Sequence, residues 1–192
     1  IPDGASVLDL GCGDGKLLLT LARRKGIRGQ GVELSNKAIF DCVDRGVPVF
    51  QSDIDSQLGS FPDKSFDYAV LEETLQTVHK PVEVLREMLR IGRYGIVSFP
   101  NFANYRLMYS LFARGRMPVD STLPHQWYET PNIHLFTVRD FLDWAVKEKV
   151  RVLRGYVLVE GFVRELRPND DMFAEEALLV VEGIGDTVCD YC

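Results

Sequence analysis

Cysteine is scarce in this chain, basic charge is outnumbered, and no apolar run is long. The 192 residues hold four cysteines, Cys12, Cys42, Cys189 and Cys192. That is no disulfide scaffold, so the expected compartment is reducing cytoplasm. The last two make a C-x-x-C with no second pair and no neighbouring histidine, too few ligands for structural zinc. It has no strand-to-helix turn to serve as a redox motif either, so it reads as a tail, and no metal is expected. No segment approaches the ~18 apolar residues that crossing a bilayer takes, so no membrane partner is expected. With 22 basic against 28 acidic side chains the net charge is −6, which argues against nucleic acid as a partner. A composition of 46% hydrophobic and 26% charged residues excludes a disordered chain, and the length fits one domain.

What is present is an alternation of β-branched runs and helical spacings, the signature of stacked βαβ units on a parallel sheet. Strands are expected over Ser6 to Leu10, Gly29 to Leu34, Val47 to Ser52, Phe66 to Glu72 and Tyr94 to Phe99. Helices are expected over Lys16 to Lys25, over Asn36 to Arg45 behind an Ser35 cap, and over Pro81 to Ile91 with proline in the first turn. The pattern then breaks. Residues 101–132 mix aromatic, basic and proline residues, with one short amphipathic helix expected over Arg106 to Arg114. Thr137 caps a further helix to about Lys149. Two close strands, Val150 to Val159 and Glu176 to Glu182, follow as an antiparallel finish around a polar connection.

The chemistry concentrates at Asp9-Leu10-Gly11-Cys12-Gly13-Asp14-Gly15, between the first strand and the first helix. Glycines there let the backbone turn sharply and let a ligand approach without a Cβ in the way. Glu33 ends the second strand about 20 residues on, where an acid can hold a ribose diol. Asp53, after the third strand, adds an acceptor for an adenine amino group. A dinucleotide fingerprint is G-x-G-x-x-G with its pyrophosphate at a helix N-terminus. This loop is G-x-G-x-G, and its Asp9 and Asp14 would repel a pyrophosphate, which counts against a nicotinamide-dependent dehydrogenase. Carboxylates suit S-adenosylmethionine, which carries a sulfonium and an ammonium group.

VLDLGCGDG at 7–15, VELS at 32–35, QSDID at 51–55 and FDYAVLEETLQTV at 66–78 resemble the class I S-adenosylmethionine-dependent methyltransferases. The resemblance implies an α/β, Rossmann-like fold: a mostly parallel seven-stranded sheet with an antiparallel edge strand and helices on both faces. It also implies S-adenosylmethionine or S-adenosylhomocysteine as cofactor. By resemblance Gly11, Gly13 and Gly15 line the methionine and ribose portions, and Asp9, Cys12 and Leu34 also belong to the cofactor-binding set. Glu33 takes the ribose hydroxyls, Asp53 and Ile54 the adenine, and Glu72 the floor beneath the sulfonium.

Beyond the cofactor half the sequence is similar to the MetW family of bacterial methionine biosynthesis. The segments that carry it are FPDKSFDYAVLEETLQTVHKP at 61–81, EVLREMLRIGRYGIVSFPNF at 83–102, RGRMPV at 114–119 and WYETPNIHLFTVRDF at 127–141. The resemblance implies association with the homoserine O-acyltransferase MetX. Residues 1–192 then divide into a cofactor half (1–100), an insert (101–135) and a closing helix with strands (136–192). Departures from the family are mild: Glu72-Glu73 stand where uncharged residues are common, and Tyr105 replaces a bulkier aromatic.

Methyl transfer needs alignment more than a base. His134 and Tyr128 are the catalytic candidates. His134 is also readable as a histidine bonded to backbone, and Tyr128 with Trp127 as core or interface aromatics. Asn101, Arg106, Arg114 and Arg116 are candidates for holding a carboxylate substrate or a partner surface, since guanidinium forks match carboxylates. Phe102, Tyr105, Leu107, Met108, Leu111 and Phe112 form an apolar stretch beside them, the mixture that interface hot spots favour. Two roles follow: a cofactor-binding protein that supports the acyltransferase, or a methyltransferase of a small carboxylate-bearing metabolite.

Overall fold

The structure is a computed structural model that describes residues 1–120 and 122–183; the C-x-x-C at 189–192 lies outside the described residues. In chain order the elements are β1 (Ser6–Leu10), α1 (Lys16–Lys25), β2 (Arg28–Glu33), α2 (Asn36–Asp44), β3 (Val49–Gln51), β4 (Phe66–Glu72), α3 (Pro81–Ile91), β5 (Gly92–Pro100), α4 (Tyr105–Arg114), α5 (Val138–Lys147), β6 (Val150–Val159), β7 (Phe162–Glu165) and β8 (Glu176–Gly183). The expected elements are all present, with ends shifted by a few residues. The sheet has eight strands rather than seven, in the order β3-β2-β1-β4-β5-β8-β6-β7.

The extra strand, β7, forms a hairpin on β6 inside the connection expected to be only polar. Its two-residue turn is Glu160-Gly161, both with positive φ (50° and 81°), which the right-handed twist of a hairpin favours. A four-residue strand behind a Glu-Gly turn gives too weak a local signal to read from sequence.

Strands β1 to β5 run parallel, while β8 enters antiparallel between β5 and β6. The chain moves outward from β1 to β2 and β3, then returns to place β4 on β1's other side. Strand order reverses there, and the crevice outside the carboxyl ends of β1 and β4 is where such sheets bind ligands.

Local chemistry sets the helix ends. Gly26 closes α1 at φ 60°, and Thr137 and Asp140 make a reciprocal capping box at the start of α5. The sheet carries helices on both faces, but unevenly. On one face α3 and α5 bury Leu71, Val97, Phe99 and Leu179 in the main core. On the other, α1 and α2 cover β1 to β3 with a smaller core around Val7, Leu18 and Cys42. The alternate residues of β4, β5 and β8 on that second face, among them Tyr68, Tyr94, Ile96 and Val180, line an open groove of about 580 Å³. Among the described residues no helix reaches the length and apolarity needed to cross a membrane.

Candidate functional site

Strand β1 runs into the glycine loop with its last four residues buried. Gly11, Gly13 and Gly15 all take positive φ (82°, 52° and 76°), which L side chains rarely adopt. Each has a further reason to lack a side chain. A Cβ at Gly11 would stand 2.7 Å from the Thr74 methyl, and one at Gly15 would stand 3.0 Å from the Cys42 sulfur. A Cβ at Gly13 meets nothing and would project into open space, the space a ligand needs.

Glu33 organises the cradle. Its carboxylate accepts the backbone N–H of Gly13 at 2.9 Å, and those of Leu34 and Ser35 both at 2.8 Å. It therefore ties the loop to the entry of α2. A carboxylate offers about four acceptor positions, so capacity remains for a ligand hydroxyl. Leu34 beside it is 62% exposed.

Asp9 is 2% exposed, and its Oδ1 has no hydrogen-bond partner among the described residues. Burial, then the nearby Glu72 and Glu33 carboxylates, push its acid up from 3.8 to about 7. Asp14 behaves differently. Lys16 at 2.7 Å and Arg45 at 3.3 Å pair with it, and the Lys16 hydrogen bond holds its carboxyl below the usual range. The argument from repulsion of a pyrophosphate therefore falls on Asp9, Glu33 and Glu72, not on Asp14.

Cys12 is buried. Its sulfur lies beneath the loop, 3.9 Å from that of buried Cys42, and its N–H donates to the Val32 carbonyl at 3.1 Å. Asp53 spends its carboxylate locally, accepting Asp55 N–H at 2.9 Å and the Ser56 hydroxyl at 3.1 Å. Ile54 packs against the main core. Glu72 ends β4 on the same rim, and burial followed by repulsion from Glu73 raises its acid.

The structure thus brings Asp9, Gly11, Gly13, Glu33 and Glu72 around one crevice. The insert candidates fall elsewhere. Asn101 is 0% exposed: it donates to the carbonyls of Asp171 (2.6 Å) and Ala174 (2.9 Å), and accepts from Val138 N–H (3.2 Å). Its amide is engaged in joining β5, α5 and the segment before β8. Arg106 is engaged by Glu160 at 3.1 Å and Glu175 at 3.4 Å. Arg114 and Arg116 are exposed around the left-handed Gly115 that ends α4. Tyr128 and Trp127 stack edge-on, 65% and 73% exposed, so they are not core. His134 does bond through backbone, its N–H donating to the Gln76 carbonyl at 3.0 Å, while its Nε2 is buried without a partner among the described residues.

Other residues here gave no sequence signal. Thr74 closes over Gly11, and Gln76 anchors the insert by accepting the N–H groups of Ile133 and His134. Glu73 takes a left-handed φ of 47°, and Glu176 arrives at the same rim from β8. Positive φ at a glutamate is a sign only a structure reveals.

Similar architectures occur in solved structures. One is an S-adenosylmethionine-dependent methyltransferase, possible histamine N-methyltransferase, from Thermotoga maritima, with a TM-score of 0.69 and 20% identity over 95% of this chain and 83% of that one. Another is an S-adenosylmethionine-dependent methyltransferase from Mesorhizobium loti, with a TM-score of 0.65 and 19% identity over 93% and 91%. At such identities the likeness defines a fold, that of the class I S-adenosylmethionine-dependent methyltransferases.

The particular family comes from sequence. The family model for methionine biosynthesis protein MetW matches residues 1–181, and this chain belongs to the MetW family. A bifunctional MetXA/MetW protein of Rhodopirellula baltica is 40% identical over 152 residues, 74% of this chain. The match covers 24% of that relative, so this chain spans about a quarter of its length.

Proposed function

We propose that the crevice binds S-adenosylmethionine or S-adenosylhomocysteine, and that the protein serves methionine biosynthesis by supporting a homoserine O-acyltransferase. The observation that carries the cofactor reading is the unpartnered Oδ1 of buried Asp9, beside a glycine loop whose Gly13 leaves its Cβ position empty. A buried acceptor without a donor is costly; an ammonium N–H satisfies it, and a sulfonium, which has no hydrogen to donate, offsets its charge, where a fully ionised phosphate would do neither. Gly11, Gly13 and Gly15 would face the methionine and ribose portions, Glu33 and Leu34 the ribose hydroxyls, Asp53 and Ile54 the adenine, and Glu72 the sulfonium. When bound, the cofactor supplies a methyl group on a cationic sulfur.

Support for the acyltransferase role comes from the fused relative, whose name joins a MetXA function to MetW in one chain. The insert offers a surface for such a partner. On α4, Tyr109, Leu111 and Phe112 are 68%, 50% and 93% exposed, with Arg114 and Arg116 beyond them. A patch of aromatic and aliphatic side chains edged by arginine suits a protein interface. Methyl transfer is a second reading, favoured by the cavity of about 380 Å³ that adjoins Glu72 and leaves space for an acceptor.

Calorimetry with S-adenosylmethionine, S-adenosylhomocysteine and NAD tests the crevice. Binding of the first two alone is expected, and binding of NAD alone rejects the assignment. Co-purification with the acyltransferase, and homoserine acylation measured with and without this protein, test the partner role. Absence of both a complex and a rate change leaves only methyl transfer.

A further inference from the structure

The segment after β3 carries a second acid, Asp55, two places beyond the Asp53 that faces the adenine in the cofactor reading. The fold uses the two carboxylates differently. Asp53 stays within its own turn, where it accepts Asp55 N–H at 2.9 Å and the Ser56 hydroxyl at 3.1 Å. Its carbonyl accepts Gln57 N–H at 2.9 Å and Ser56 N–H at 3.2 Å, so the turn closes on itself. Asp55 reaches outside that turn. One of its oxygens accepts His79 N–H at 3.0 Å and the other Lys80 N–H at 2.8 Å, 24 and 25 residues further along the chain.

Those two N–H groups lie at the start of α3. The first N–H groups of a helix have no partner within it, and Pro81, which opens this one, has none to offer. The side chain of Lys80 before it carries no acceptor and makes no cap. Asp55 takes the Lys80 N–H, the part that a capping box gives to an acid inside the helix. The positive end of the helix dipole favours a carboxylate there. Two bonds to adjacent donors fix that carboxylate in direction as well as place. The helix is itself anchored, with Val84, Leu85, Met88 and Leu89 in the main core.

The hold extends back along the chain. Asp55 N–H is one of the two donors on the Asp53 carboxylate, so docking Asp55 on α3 sets where Asp53 points. At the other end of the turn, Ser52 N–H donates to the Glu33 carbonyl at 3.1 Å. Asp53 and Ile54 thus lie between one pin at the ribose acid and another at α3. Asp53 spends two of about four acceptor positions on its turn, which leaves capacity for a ligand donor.

We propose that Asp55 is the positioning residue of the adenine subsite. Through its hold on α3 it aims Asp53 at the exocyclic amino group and sets a preference for adenine over a 6-oxo purine. An amino group donates to a carboxylate, whereas a 6-oxo oxygen presents lone pairs to it and leaves it unsatisfied. The inference deepens the cofactor reading and rests on it.

The test compares S-adenosylhomocysteine with S-inosylhomocysteine, which differ at that position of the base, by calorimetry on the wild type and three variants. The wild type is expected to bind the adenosyl compound roughly tenfold more tightly, the scale of one hydrogen bond to a charged acceptor. Asp55→Ala should lose most of that preference, chiefly by weakening the adenosyl compound. Asp55→Asn keeps one acceptor and should retain roughly threefold. Thr137→Ala, which removes the cap of α5, is the control for lost stability. It should lower the melting temperature and keep the tenfold preference. An undiminished preference in either folded Asp55 variant, or an equal loss in Thr137→Ala, overturns the proposal. A wild type that binds both compounds alike also overturns it and leaves the cofactor reading standing. A wild type that binds neither removes the cofactor reading, and the proposal with it.

Discussion

The crevice at the strand tips and the insert above it are built by opposite rules. In the crevice, glycines hold the backbone in left-handed turns, and Glu33 gathers three N–H groups from two elements. Little there can move without breaking a hydrogen bond, and the acceptors left over are few and directed. In the insert, α4 buries Leu107 and leaves Tyr109 and Phe112 in solvent, and Trp127 and Tyr128 stack edge-on while exposed. The first arrangement is preorganised for a small charged ligand. The second has apolar area that a folded monomer gains nothing by exposing, which fits a macromolecular partner.

The largest expected effect breaks the crevice. Gly13→Val forces a β-branched residue to φ 52° and fills the open space above the loop, so S-adenosylmethionine affinity should fall by roughly a hundredfold. Calorimetry reads this, and binding within a few-fold of wild type refutes the mapping. Acyltransferase association should persist in that variant, which separates the two regions.

The next effect strikes the insert alone. Phe112→Asp should weaken the complex with the acyltransferase by roughly tenfold or more, as loss of an aromatic anchor does. Stability should change by no more than about 0.5 kcal/mol, because the side chain is 93% exposed. Surface plasmon resonance and thermal melting check the two halves of this expectation, and unaltered association moves the interface elsewhere.

The smallest effect is graded and belongs to Asp9. Its acid is raised from 3.8 to about 7, so the folded state disfavours the charged form. Stability from this group is full below pH 3.8 and declines as pH rises through about 7, where the penalty levels off. A cationic ligand reverses the preference. S-adenosylmethionine affinity should rise roughly tenfold between about pH 6 and pH 8, with proton release on binding. Titrations in buffers of different ionisation enthalpy measure that release; proton uptake or a flat profile contradicts the assignment.

Much of the fold is legible in the chain because parallel βαβ units announce themselves locally. Val7 to Leu10 is an unbroken buried run, and Pro81 and Thr137 mark helix starts that the structure keeps. Strand β7 escapes because four residues, three of them exposed, carry no burial pattern. The same divide runs through the site. The glycines of the loop and Glu33 stand out because turn geometry and strand ends are local properties. Asn101, a polar residue just past a strand, looks like a ligand contact in the sequence, and only the structure shows its amide bonded to Asp171 and Ala174, about seventy positions away. Asp14 misleads for a similar reason: Arg45 and Lys16 cancel it, and only one of them is near in sequence.

By itself the sequence determined the order of strands and helices, the bare-backbone turn after β1 and the acid that closes β2, since residue periodicity and φ preferences act over a few positions. The tertiary structure decided which charges are neutralised and which are left waiting. The insertion of β8 between β5 and β6 carries Glu176 to the rim that holds Glu72, more than a hundred residues earlier, and leaves half of one sheet face open. Pairing across such separations depends on how the whole core packs, and no local pattern encodes it.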